Sequence, residues 1–256
     1  MSTVPTSPTS NKIDRGTNPL LETHLSTARS LSIRQTRLGW FQECLGCEAK
    51  QEFKFFKEGD GPNEFAHAVE DSGFCIRCCC SPCHPFNMTV AEMGTNAELL
   101  SMDRPCACCV CACKCCCYQS MYVKSAGQKI GSIKEQCFCC VPRFMAYDSD
   151  GKKMYKIHSP TCCCGMCINC CAEGNPCGKG CCKASFRIYP ASQAKTDGDA
   201  PYLGVILKKP KSFATELFTG ANAFDLTFPA DASSKQKALL VGSAIFFNVN
   251  FFERQQ

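Results

Sequence analysis

No nucleotide-binding loop, Gly-x-Ser-x-Gly elbow or dinucleotide fingerprint occurs in the 256 residues, so the common phosphoryl, acyl and hydride transfer signatures are missing. Histidine is scarce. His24, His67, His84 and His158 sit in no hydrolase motif; His84 and His158 lie near cysteines, where a metal could use them, but ordinary surface or core histidines are favoured. No run of 18 apolar residues is present, which argues against an ordinary spanning helix. The nearest, Ala238 to Phe252, is broken by Asn248 and Asn250. As a helix it rises about 22 Å against a hydrocarbon core of about 30 Å, so its length favours burial inside protein. A large excess of one charge is missing as well. The net charge of +5 suits an anionic membrane surface without demanding one, and it is too small to indicate nucleic acid. Residues 1–30 lack the apolar core of a signal peptide. Thr3 to Asn11 holds two prolines and five Ser or Thr, so residues 1–30 are expected to form a disordered tail, with structure beginning between Leu31 and Trp40.

Cysteine is abundant instead. There are 27, about one residue in ten, a density that usually marks a small secreted disulfide scaffold. This chain is long for a scaffold that depends on staples. Its cysteines stand side by side, where neighbours are badly placed to bridge each other, and their number is odd. A reduced, cytosolic setting is therefore expected. The densest stretch holds eight in twelve residues: Cys106, Cys108, Cys109, Cys111, Cys113, Cys115, Cys116 and Cys117. Three chemistries stay open for it on residue types alone. Several thiols near a surface can take several acyl chains, and two or more chains anchor stably. A metal–thiolate knot and a plain thiol loop are the others. Cys75, Cys78, Cys80 and Cys83 form two Cys-x-x-Cys pairs, and Cys167 with Cys170 forms another. Four thiolates allow zinc or an iron–sulfur cluster, but these spacings match no fixed fingerprint, so structural or acylated cysteines are favoured.

Much of the rest reads as strands. Phe53 and Phe55 flank Lys54; Phe86, Met88 and Val90 alternate with polar or small residues; Met121 with Val123 and Phe186 with Ile188 do the same. Met93-Gly94, Ala126-Gly127, Asp150-Gly151 and Asp197-Gly198 are turn signals. An internal repeat runs from Pro85-Phe86 through Arg104-Pro105-Cys106 to Gly131, and again from Pro142-Arg143-Phe144 through Ser159-Pro160-Thr161-Cys162 to Gly204. Two meandering copies fit a closed, mainly β antiparallel sheet, because closure removes both edges. Near the C-terminus, Ser233 to Gln236 matches a capping box opening a helix over 233–253 that is apolar on nearly all sides. Such a helix needs burial all round, which the interior of a barrel supplies.

Several segments have a shared pattern. Ala68-Val69-Glu70-Asp71 leads into Cys75 and Cys78-Cys79-Cys80, then Pro85-Phe86. Asp103-Arg104-Pro105-Cys106 leads into the main cysteine cluster. Leu217-Phe218-Thr219 precedes Phe224, Phe228-Pro229 and Asp231, and Lys237-Ala238 opens the helix that holds Gly242 and ends in Phe251-Phe252-Glu253. In this order, over roughly residues 32 to 253, they resemble the phospholipid scramblase family. The resemblance implies a tubby-like fold for residues 31–256: a barrel of about twelve strands around a buried hydrophobic C-terminal helix.

The resemblance also implies a function, ATP-independent bidirectional movement of phospholipids between leaflets, stimulated by calcium in the family and requiring no bond-making site. The alternative is a palmitoylated membrane adaptor that binds lipid or protein without transport. In the family the loop equivalent to Cys106–Cys117 is palmitoylated, which implies the cytosolic face of the plasma membrane. The family's calcium loop places Asp at two early positions, then Phe, Phe-Pro and a final Asp. Here Gly220 and Asn222 stand at the first two, Phe224, Phe228, Pro229 and Asp231 are kept, and Asp225 is an added acid. The set Asn222, Phe224, Asp225, Phe228 and Asp231 is expected to bind calcium weakly, at about millimolar levels, or not at all; a polar turn capping the helix is the other reading. Lys208, Lys209 and Lys211 align with a segment that serves nuclear import in some members, which leaves a minor nuclear pool open. A solvated strand end or a contact to anionic lipid is favoured for them. Pro5 and Pro8 do not rebuild the family's Pro-rich partner-recruiting arm. Membrane phospholipids are the expected partners, and a homo-oligomer stays open.

Overall fold

Twelve antiparallel strands close on themselves in the computed structural model, which describes residues 18–36, 50–58, 63–73, 84–107, 118–138, 141–161, 184–209 and 223–252. They are β1 (Ser30–Thr36), β2 (Glu52–Lys57), β3 (Glu64–Asp71), β4 (Phe86–Glu92), β5 (Glu98–Arg104), β6 (Ser120–Ser125), β7 (Gln128–Gln136), β8 (Arg143–Asp148), β9 (Lys153–His158), β10 (Ala184–Pro190), β11 (Gly204–Lys208) and β12 (Ala223–Thr227). Each strand pairs with its chain neighbours, and β1 pairs with β12 to complete the ring. No strand edge is left open, so the sheet offers no template for pairing with another chain.

The alternation in the sequence sets which side chains face inward. Phe53, Phe55, Phe86, Met88, Val90, Met121, Val123 and Ile188 are all buried in one core. The Ala126-Gly127 hairpin has both residues at positive φ, 49° and 74°, the pattern of a tight two-residue turn that matches strand twist. The sequence repeat is structural: β4–β7 form one copy and β8–β11 the other. Its shared glycine has a shared reason. A Cβ on Gly131 would collide with the Tyr147 carbonyl and with Leu239, and a Cβ on Gly204 would collide with the Thr227 carbonyl. Each glycine lets neighbouring backbone approach closely.

The barrel is filled by α2 (Ser234–Phe247), which continues as one π turn over Asn248–Phe252. Ser233 caps it, and the capping box with Gln236 is complete in both directions. From Lys237 to Phe247 every residue is buried. Phe247 packs on Phe144 and Phe186 of the wall, both at 4.5 Å between ring centroids. Gly242 lets the helix lie against β6; a Cβ there would come within 2.7 Å of Val123. Fully burying a large apolar side chain is worth about 1.5–3 kcal/mol. The six from Leu239 to Val241 and Ile245 to Phe247 therefore contribute on the order of 10 kcal/mol, comparable to the whole stability of a typical domain.

Order begins earlier than expected. The tail reading for residues 1–30 fails from Asn18 onward, because α1 (Pro19–Leu25) is a capped helix that inserts Leu21 and Leu25 into the core. Asn18 accepts from the Leu20 N–H and donates to the Glu98 and Leu99 carbonyls, so the cap also ties the helix to β5. Residues 1–17 lie outside the described residues.

Candidate functional site

Because strand order follows chain order, every connection leaving an odd-numbered strand emerges at one rim. The 27 cysteines all fall in five of those connections, β1–β2, β3–β4, β5–β6, β7–β8 and β9–β10. None lies in a described strand, in α2 or in a connection at the other rim. Cys106 and Cys137, at the exits of β5 and β7, are exposed and unbridged. Cys108, Cys109, Cys111, Cys113, Cys115, Cys116 and Cys117 lie outside the described residues, as do the other Cys-x-x-Cys pairs.

Directly beneath this rim the apolar filling gives way to a buried polar cluster. The Arg104 side chain is fully buried; its Nη2 donates to Gln119 Oε1 and to Asn250 Oδ1, both at 3.0 Å. Asn248 Nδ2 donates to Gln51 Oε1 at 3.4 Å. Glu70 accepts from the Gln51 N–H at 3.1 Å and from the Ser72 hydroxyl at 2.5 Å, and its carboxylate meets His84 Nε2 at 3.1 Å. Glu135 accepts from the Gln119 N–H at 3.1 Å. Gln51 and Arg104 thus hold the last turn of the central helix, and residues on or beside six consecutive strands join the cluster around them. Burial pushes the Glu70 carboxyl up, but hydrogen bonds from His84, Ser72 and the Gln51 N–H outweigh it, and its pKa ends below the ordinary value. The polar cluster accounts for Asn248 and Asn250. They do not interrupt the apolar helix; they terminate it against partners already in place. Sequence reasoning singled out Arg104 only as part of a motif. An Arg before Pro-Cys, together with two Asn closing an apolar helix, is the signal that could have found it.

At the opposite rim α1 clasps the start of α2. Ser234 Oγ donates to Glu22 Oε2 at 2.8 Å, and Lys237 Nζ donates to the Leu25 and Ser26 carbonyls at 2.9 and 2.7 Å. Burial lowers the Lys237 pKa. His24 and Glu92 meet at 2.6 Å on the outer side of α1.

Of the residues expected for calcium, the described ones are not brought together. Residues 223–227 form a strand, so Phe224 points into the core while Asp225 points outward, where Lys209 Nζ pairs with it at 2.7 Å. Phe228 is buried. Asp231 is exposed in the turn before α2. There its charge adds to burial in pushing the Tyr155 hydroxyl up to about 12. Asn222 lies outside the described residues, and among the described residues no three His, Cys, Asp or Glu gather to hold a metal. The lysine segment is also divided. Lys208 faces inward and is nearly buried, so it is no solvated strand end; Lys209 is the ion-paired one, and Lys211 lies outside the described residues. No described helix is long and apolar enough to cross a membrane.

The family model described as Scramblase matches residues 8–254. Phospholipid scramblase 2 of Homo sapiens is 27% identical over 191 residues, covering 73% of this chain and 56% of that protein. Phospholipid scramblase 1 of Mus musculus is 26% identical over 188 residues, 73% of this chain and 51% of that protein, and phospholipid scramblase 1 of Homo sapiens is 27% identical over 187 residues, 73% and 52%. The chain spans about half the length of the curated relatives it matches. With the family model covering nearly the whole sequence, and with the closed barrel and its internal helix in view, the chain belongs to the scramblase family.

Proposed function

We propose that this protein moves phospholipids between leaflets, in both directions and without nucleotide, while held by acyl chains at the cytosolic face of the plasma membrane. Family membership over residues 8–254 is the observation that carries this reading. The one-sided distribution of cysteines supports the anchor. Acyl chains on the Cys106–Cys117 connection would all leave the barrel at the same end, and two or more chains suffice for stable attachment. Calcium acts weakly here, because Asp225 already has a lysine partner and the early family carboxylates are replaced by Gly220 and Asn222.

The filled barrel favours a second reading, an acyl-anchored adaptor that binds the membrane without transport. Withdrawing α2 to build a lipid path would forfeit apolar packing on the order of 10 kcal/mol and strip the inner wall of its partner. Vesicles carrying headgroup-labelled lipid decide between them. A scramblase lets inner-leaflet label reach an external quencher, with millimolar calcium changing the rate by less than about twofold; a protein that binds the vesicles and leaves the label protected is the adaptor. Replacing the eight cysteines from Cys106 to Cys117 with serine is expected to abolish hydroxylamine-sensitive acyl labelling and release the protein from membranes in cells. Retained labelling counts against the anchor.

A further inference from the structure

The outer wall of the barrel is charged unevenly. Strands β7 to β10 carry Lys129, Lys134, Arg143, Lys153, Lys156 and Arg187, against two acids, Glu135 and Asp148. Glu135 is buried beneath the cysteine rim, and Asp148 turns its carboxylate back onto the N–H groups of Asp150 and Lys152 in its own hairpin. Strands β2 to β5 have the reverse balance. Setting aside buried Glu70 and Arg104, they bear Glu52, Glu64, Asp71, Glu92, Glu98 and Asp103 against Lys54 and Lys57.

Register brings the basic side chains together. Lys134 and Lys156 flank Met145 in one row across β7, β8 and β9. Arg143 and Arg187 flank His158 in the next row, toward the cysteine rim. Adjacent strands lie about 4.8 Å apart, so these charges share a face roughly 15 Å wide. Tyrosines accompany them: Lys134 Nζ lies 5.4 Å from the Tyr147 ring and the Arg187 guanidinium 4.9 Å from the Tyr202 ring. Lys156 and Arg187 donate to the Gln193 and Gly198 carbonyls, and among the described residues Lys129, Lys134, Arg143 and Lys153 have no carboxylate within ion-pair distance. Asp197 faces this region from the β10–β11 connection, which also carries exposed Asp199, and it accepts from the Thr161 hydroxyl at 2.6 Å.

We propose that the β7–β10 wall is a docking face for an anionic bilayer surface, with the β2–β5 wall turned away from it. A broad basic face with tyrosines matches charge spread over a lipid surface. Among the described residues it offers no protruding helix or ribbon to enter a nucleic-acid groove. The choice of a bilayer rests on the membrane reading above. Its neighbour, the rim bearing every cysteine, would then meet the same membrane at its edge.

The test uses the full chain made without acylation, sedimented with vesicles of phosphatidylcholine alone or with phosphatidylserine added. Binding is expected only to the anionic vesicles and is expected to weaken as salt rises. Replacing Lys134, Arg143 and Lys156 together with Gln is expected to weaken it on the order of 100-fold. Lys54→Gln with Lys57→Gln is expected to leave it unchanged, with thermal melts of both variants matching the parent. The proposal is overturned if the wall variant binds like the parent, if both variants lose binding equally, or if a duplex oligonucleotide outcompetes the vesicles for the wall. Lipid flipping is not read in this assay, so loss of scrambling with wall-dependent binding intact would count against the transport function alone.

Discussion

At one end of the barrel five connections carry all 27 cysteines; at the other end the connections carry none, and one of them is the two-residue turn Ala126-Gly127. The central helix meets these ends differently. It starts at the cysteine-free rim, capped by Ser233 and clasped by α1. It finishes under the cysteine rim, where Asn248 and Asn250 are held by Gln51 and Arg104. The difference teaches that stabilising the barrel and displaying thiols are separate tasks. Among the described residues the hydrophobic core takes no side chain from the cysteine-bearing connections, four of which are far longer than closing a hairpin requires and therefore read as functional additions.

That separation can be broken or sharpened by substitution. The largest expected loss of stability comes from the shared filling. Phe247→Ala removes the ring packed between Phe144 and Phe186 and should cost about 3–5 kcal/mol in chemical denaturation. If it costs less than about 1 kcal/mol, the helix is not a working part of the core. Next is the polar closure at the cysteine end. Asn250→Ala takes one acceptor from the buried Arg104 guanidinium and should cost about 1.5–3 kcal/mol, the range for a hydrogen bond to a charged group. At the opposite end Ser233→Ala removes a helix cap and should cost about 1 kcal/mol, measured the same way.

The smallest expected effect is a pH dependence confined to the cysteine end. The folded state lowers the Glu70 pKa, so its contribution is complete above the unfolded carboxylate value of about 4.3 and is lost as pH falls through the lower folded value. Thermal melts should show the parent weakening across that acid range and Glu70→Gln weakening less. Identical profiles would remove Glu70 from the account.

Much of the architecture was legible because inward and outward side chains alternate so cleanly on β4 and β6, and because the repeat implied a closed sheet. The helix was legible from Ser233, Gln236 and an apolar surface too wide for one face. Other features depend on three dimensions. α1 contributes only two core leucines from a short helix within polar sequence, below what periodicity detects. Phe224 and Asp225 read as parts of one loop, yet a strand sends adjacent residues to opposite faces. Likewise the cysteines read as several separate clusters, and only the strand order collects them at one rim. The basic wall was hidden for the same reason, since its residues are spread over four strands and the net charge is modest.

The central claim is that α2 stays inside the closed sheet while the thiol-bearing rim holds the bilayer. A photo-crosslinking phenylalanine analogue at position 247, activated in protein bound to vesicles, tests it directly. Covalent adducts to the peptides carrying Phe144 and Phe186 are the predicted product. Adducts to lipid acyl chains in their place would contradict the account.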